Sequence, residues 1–220
     1  MSDGFRPDGD APRYFGLYPA IVTDLVDPDS LGRIEVSFPW LGADGDTVRA
    51  WATLLSPYAD DDQGFQVLPE VDTQVVVGFE AGSVRRPYIV GAAWNGREAQ
   101  PVSPERANNK RVIKTRSGSI LEFDDTGGAV KVTLSTNSGH KLILSDSPQE
   151  VSVEHQNGCK ITMNAGGQVK INANSTVDVT ASAMNVHAPM ATFDGTVQCT
   201  TLIATSVVSS SYTPGAGNIW

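Results

Sequence analysis

The chain has 220 residues, 40% of them apolar and 19% charged, a composition that excludes a disordered polymer and allows one large domain or two small ones. The net charge of −9 is confined to one half: residues 1–100 carry 7 Lys/Arg against 16 Asp/Glu, and residues 101–220 carry 9 of each. An acidic first half excludes a phosphate-binding surface there, because such surfaces depend on Lys and Arg displacing counterions.

Residues 1–13 read as a flexible arm. Met1 to Asp10 are acidic and polar where a secretory signal would be basic and then apolar, and no stretch approaches the roughly 20 apolar residues of a spanning helix, so synthesis in the cytoplasm is expected. From residue 14 to 95 short β segments alternate with turn chemistry: Ala20 to Val26, Arg33 to Phe38, Arg49 to Leu55, Thr73 to Phe79 and Tyr88 to Ala93. The Asp27-Pro28-Asp29-Ser30 turn separates the first two. About five such strands without helical periodicity predict a small barrel, closed or partly open, since closure removes the edges that short strands expose.

Residues 96–116 hold Pro101, Pro104 and a basic cluster of Arg106, Lys110, Arg111, Lys114 and Arg116. They read as a solvated linker able to lean on the acidic domain, in preference to a nucleic-acid patch.

From residue 117 the sequence repeats. Ser117-Gly118, Ser138-Gly139 and Asn157-Gly158 are each followed by apolar residues three and five places after the glycine, at glycine spacings of 21 and 19. Val130/Val132, Val151/Val153 and Val169/Ile171 lie between them, so each repeat of about 20 residues holds two strands. Further pairs are Val177/Val179, Met184/Val186 and Ala191/Phe193, and Lys and Arg vanish after Lys170. A strand pair with one apolar face cannot bury that face alone. Three chains wound about one axis would bury it, with Leu142, Leu144, Val151, Val153, Ile161, Met163, Val169, Ile171, Val177, Val179, Met184, Val186 and Phe193 as the core of a thin needle.

The first half then shows a specific ordered set: Asp27-Pro28, Gly32-Arg33-Ile34, Phe38-Pro39-Trp40, Trp51-Ala52, Gly64, Leu68-Pro69-Glu70, Gly78-Phe79-Glu80, Arg86-Pro87, Gly91 and Trp94-Asn95. Over residues 14–95 it resembles the oligonucleotide/oligosaccharide-binding (OB) barrel of the contractile-tail spike family, which includes baseplate assembly protein V and the VgrG spikes of type VI secretion. The remainder resembles that family's needle in pattern only. The resemblance implies an all-β chain with an OB-type barrel at 14–95 and, at 117–220, an intertwined triple-stranded β-helix built by a homotrimer. It implies a membrane-piercing spike of a virion tail baseplate or an extracellular contractile particle, seated by its barrel on a tail-tube hub protein and aimed at a target cell envelope. Its blunt apolar end would be capped by a PAAR-like tip protein or by Tyr212 to Trp220 folding back. Against that resemblance, these 220 residues are expected to hold no fused hub domain, lysozyme insertion or effector extension, so a separate hub partner is implied. Some short spikes hold a tip metal through a His-x-His pair, and only His187 lies in that region.

No catalytic constellation is present: there is no phosphate-binding glycine loop, Gly-x-Ser-x-Gly elbow or His-Glu-x-x-His, and no enzyme activity or cofactor is expected. His140, His155 and His187 read as scattered strand residues, Cys159 and Cys199 as buried small side chains, and Asp44/Asp46 and Asp60-Asp61-Asp62 as solvated loops. Trp40, Trp51 and Trp94 read as barrel core ahead of a stacking platform for a sugar or base. Two other functions fit the fold class: a glycan- or nucleic-acid-binding OB module on a β-stalk, with the acidic barrel against nucleic acid, and a β-helix enzyme acting on polysaccharide.

Overall fold

The structure is a computed structural model that describes residues 12–42 and 47–211. Most of the arm at 1–13, the pair Asp44/Asp46 and the segment Tyr212 to Trp220 therefore lie outside the described residues. The chain divides into a unit ending at Asn172 and a second beginning at Ala173.

The first unit begins with five principal strands, β1 (Tyr18–Asp24), β2 (Ile34–Ser37), β3 (Arg49–Leu54), β6 (Gln74–Phe79) and β7 (Pro87–Ala92). They close into a barrel in the order β1-β2-β3-β7-β6, with β1 pairing both β2 and β6. All pairs are antiparallel except β3 with β7, where Thr53 faces Tyr88 and Leu54 faces Ile89. Between β3 and β6 a small arm carries the two-residue strands β4 (Ala59–Asp60) and β5 (Gln63–Gly64). The five expected strands are those observed, with ends shifted by one or two residues.

The core follows from alternation. Ala20 and Val22 of β1, Ile34 and Val36 of β2, Ala52 of β3, Val75 and Val77 of β6 and Ile89 of β7 all point inward with Phe38, and all are fully buried. Register shifts between Val22 and Asp24 and between Val76 and Val77 add the local twist that lets short strands curl shut. The approach to β1 is fixed at Gly82, whose φ is +79° and where a Cβ would lie 3.0 Å from the Arg13 Cβ and 3.2 Å from the Phe15 ring. The Tyr14 amide donates to the Gly82 carbonyl there at 2.9 Å, so the chain entering the barrel lies against a backbone with no room for a side chain.

The same unit continues as a seven-stranded antiparallel meander: β8 (Lys110–Lys114), β9 (Ile120–Asp124), β10 (Lys131–Ser135), β11 (Lys141–Asp146), β12 (Gln149–Glu154), β13 (Lys160–Asn164) and β14 (Val169–Asn172). One turn recurs, closing β8–β9, β10–β11 and β12–β13 along one edge and β13–β14 along the other. Gly118, Gly139, Gly158 and Gly167 each donate their amide to the residue three places earlier, Thr115, Thr136, His155 and Asn164 in turn. Each of those four residues donates its own amide to the carbonyl of the residue after the glycine. All four glycines have positive φ, from +73° to +97°, as the left-handed position of a three-residue hairpin loop requires.

Two expectations differ from this picture. The segment read as a linker through 116 contains β8, because its basic residues are cross-strand partners rather than solvated charges: Lys110 Nζ lies 3.4 Å from Glu122 Oε1, and Arg111 Nη1 3.0 Å from Asp125 Oδ2. In the second unit, the described residues 173–211 contain no strand, and Val177, Val179, Met184, Val186 and Phe193 are exposed. The alternation is present in sequence, but no strand pairing forms in the described part of the segment.

Phe38→Ala should lower barrel stability by about 3–5 kcal/mol, the usual cost of emptying a closed core of a phenyl ring. Denaturant unfolding followed by far-UV circular dichroism measures it, with a shift in midpoint and little change in slope.

Candidate functional site

Three features of the first unit carry more than scaffolding. The first is a clasp in the β1–β2 loop. The Asp27 side chain is only 2% exposed and accepts the amides of Asp29, Leu31 and Arg33 at 3.0, 3.1 and 3.2 Å. It also takes a two-pronged contact from Arg33, Nε at 2.8 Å and Nη2 at 2.8 Å, and the same Nη2 reaches Asp29 at 2.7 Å. Gly32, with φ +72°, turns the chain back between these partners, and Pro28 sits exposed on the outside. A side-chain hydrogen bond from Arg33 is the main cause holding the Asp27 carboxyl well below its ordinary value of 3.8; burial opposes it and the backbone donors reinforce it. The Arg33 guanidinium is raised in return and lies 5.9 Å from the centre of the Trp51 ring.

The second is an aromatic cluster beside the barrel core. Tyr18 stacks on Trp40 with centroids 4.7 Å apart, Tyr14 meets Trp40 edge-on at 5.2 Å, and Phe38 meets Phe79 edge-on at 5.5 Å. Trp40 Nε1 donates to the Pro19 carbonyl at 2.7 Å, which gives the indole its polar partner. The core assignment of the three tryptophans thus needs correction. Trp40 packs against the core; Trp51 stands on the outer face of β3, opposite Glu35; Trp94 is 62% exposed. Ala52, next to Trp51 on β3, points into the core, and alternation therefore turns Trp51 outward.

The other motif positions serve local structure. Glu70, beyond the exposed Leu68 and half-buried Pro69, accepts Arg116 at 3.0 Å, so the basic segment does lean on the acidic barrel. Glu80 pairs with Arg86 at 3.2 Å after Gly78 and Phe79, the buried Pro87 opens β7, Gly91 faces Val76 beside the register shift, and Asn95 Nδ2 donates to Gln74 Oε1 at 2.7 Å.

The third feature is the meander's two faces. Cross-strand register puts Leu121, Leu134, Leu142, Val153, Ile161 and Ile171 in one row and Phe123, Val132, Leu144, Val151, Met163 and Val169 in the next, all on one side. Eight of the expected needle residues, Leu142 through Ile171, fall on this side, and most of its members are exposed. The opposite side is polar and better covered. There Lys160 reaches Glu154 at 2.8 Å and Glu150 at 3.2 Å, which raises the Lys160 ammonium and lowers the Glu154 carboxyl, each chiefly through the hydrogen bond between them. Ser152 beneath them is 3% exposed. The sheet therefore shields its polar side chains and leaves its apolar ones to solvent, the reverse of a self-contained domain.

Register also joins two histidines that looked scattered: His140 and His155 have ring centroids 4.3 Å apart. His187 is exposed, Cys159 is half-buried and Cys199 exposed, so neither thiol is buried in this chain. Asp60 Oδ1 caps the Asp61 amide at 2.8 Å within the arm. Among the described residues no three His, Cys, Asp or Glu side chains converge as a metal site requires, and no helix is long and apolar enough to cross a membrane.

Residues 18–94, the barrel from its first strand to its last, match the family of the type VI secretion system/phage-baseplate injector OB domain. A five-stranded closed barrel with this motif set is an injector OB domain. Relatives extend the likeness into the meander: type VI secretion system spike protein VgrG5 of Pseudomonas aeruginosa PAO1 is 25% identical over 167 residues, 71% of this chain and 20% of its own. Spike protein VgrG4b of the same strain is 28% identical over 121 residues, 51% of this chain and 15% of its own. The actin cross-linking toxin VgrG1 of Vibrio cholerae serotype O1 is 24% identical over 134 residues, 58% and 12% of the two chains. Residues 18–94 thus belong to the injector OB-domain family, and the chain is similar to VgrG-like baseplate spike proteins, spanning a fifth or less of these relatives' lengths.

Asp27 gives the clasp a defined pH response. Because its folded value is depressed, its stabilisation is complete above the ordinary carboxylate range and is lost as pH falls below about 4 toward the folded value. Asp27→Asn should melt lower than the parent at pH 7, and the gap should narrow on acidification below about pH 4; thermal melts across that range measure it.

Proposed function

We propose that the protein is the central spike of a contractile tail or injection particle: a homotrimer that docks on a tail-tube hub through its barrels and punctures the target envelope with a needle built from residues after 110. The observation that carries this reading is the apolar face of the meander. Fully burying a Val, Leu, Ile or Met side chain is worth about 1.5–3 kcal/mol, so covering half of the twelve residues in its two rows is comparable with the whole net stability of a typical domain, about 5–15 kcal/mol. Two further copies supply that cover with identical chemistry, each face packing on the other two about a threefold axis.

The second unit fits the same account. Its alternating Val, Met and Phe residues have no strand partner among the described residues, and in a winding trimer the partners come from the neighbouring chains. Charges that would have to be buried along such an axis are missing there: residues 173–220 contain only Asp178 and Asp194. The acidic barrel half gives docking on a hub a salt-sensitive component. A small tip protein or the chain's own last residues would close the far end, where unpaired strand edges otherwise meet water. The particle works outside the cell in which the chain is made.

Light scattering on the purified chain should give about three times 23.4 kDa; a stable folded monomer would sink the reading. Val153→Asp on the sheet face, and Val179→Asp or Val186→Asp in the second unit, should each block assembly by placing three unpaired carboxylates round one axis. Lys170→Gln, on the polar side, should change neither mass nor melting.

The work of this protein is mechanical on this reading. Purified chain should release no soluble product from peptidoglycan, polysaccharide or nucleic acid, since no nucleophile–base or acid–base constellation is seen among the described residues. Turnover that survives controls for contaminants would overturn that part of it.

A further inference from the structure

Trp94 is a large apolar ring on the surface, two residues past the end of β7, and the barrel core does not use it. Its backbone is pinned by Asn95, whose Nδ2 donates to Gln74 Oε1 at 2.7 Å while its Oδ1 accepts the Arg97 amide at 2.9 Å. The indole lines a cleft of about 370 Å³, within the range of small-ligand sites, about 300–1,000 Å³. Pro101, Val102 and Pro104 add apolar wall, while Gln100, Ser103 and Asn109 offer amide and hydroxyl groups.

Charge narrows the ligand class. The one cation in the lining is Lys110, already 3.4 Å from Glu122, and Glu105 stands in the same lining. A phosphate-bearing ligand would meet a spent cation and a free carboxylate. The amides and hydroxyl are the groups left to specify a ligand: the Gln100 and Ser103 side chains have no hydrogen-bond partner among the described residues, and Asn109 spends only its Nδ2, on Thr126 Oγ1 at a long 3.4 Å. An exposed indole with neutral polar groups around it matches a pyranose ring, which presents a face of C–H groups to an aromatic plane and a rim of hydroxyls to amides.

We infer that the Trp94 cleft is a binding site for an uncharged saccharide, one or two sugar rings in extent. Glycan capture at this point would tether the barrel half to an envelope polysaccharide.

The test uses the full chain and three probes, chitotriose, cellotriose and maltotriose, in saturation-transfer NMR and calorimetric titration. At least one should bind with Kd of about 1 mM or tighter. Trp94→Ala should abolish binding, Asn109→Ala should weaken it several-fold, and Trp51→Phe should leave it unchanged. Because Trp94 is exposed, Trp94→Ala should melt with the parent, and mass measured on the same samples reports the assembly separately. Saturation transfer to none of the three, or binding that survives Trp94→Ala, overturns the assignment. So does a Trp94→Ala variant that loses capture of the hub while the parent binds no sugar, which would make the cleft a protein contact.

Discussion

A β-strand needs a hydrogen-bonding neighbour on each side and a cover for its apolar face, and this chain meets those needs to a decreasing degree along its length. In the barrel both are met within the chain, because five strands close on themselves and nine side chains fill the centre. In the meander the neighbours are present but the cover is not. In the described part of 173–211 neither is found. The order of self-sufficiency follows the order of the sequence.

The clasp at Asp27 and Arg33 shows what a self-sufficient element costs in sequence. Buried carboxylates are tolerated only when their acceptor sites are filled, and here one loop of seven residues supplies every donor. Asp, Gly and Arg are therefore bound together as a set: the aspartate without the arginine would be an unpaired buried charge, and the arginine without the glycine would not be turned back to meet it. By contrast, the ion pairs on the meander's polar side join residues of different strands, Lys160 with Glu154 and Glu150 and Lys110 with Glu122, and rely on strand register. They depend on the sheet rather than create it.

Alternation and turn chemistry made the barrel and the repeat legible, and both are local signals. The five barrel strands, the glycine turns at 118, 139 and 158, and the sorting of Leu142 through Ile171 to one side could all be read from residues within a few positions of one another. Contacts that depend on closure or pairing were not legible. Lys110 and Arg111 looked like a solvated cluster because their partners, Glu122 and Asp125, lie on the next strand. His140 and His155 looked unrelated until β11 and β12 were placed side by side. Trp94 looked like core because an aromatic at a strand end follows no rule of alternation, and its exposure is decided by where the chain leaves the barrel.

The recurring turn has a consequence for how such proteins change in length. Each copy closes with the same two backbone bonds and a glycine at the same place, and each pair of strands returns the chain to its starting edge with the same side facing in. A duplication or deletion of one such pair leaves every other rung undisturbed, whereas a single strand would reverse the direction of all that follows. With neighbouring strands about 4.8 Å apart, each pair gained or lost changes the reach of the sheet by roughly 10 Å.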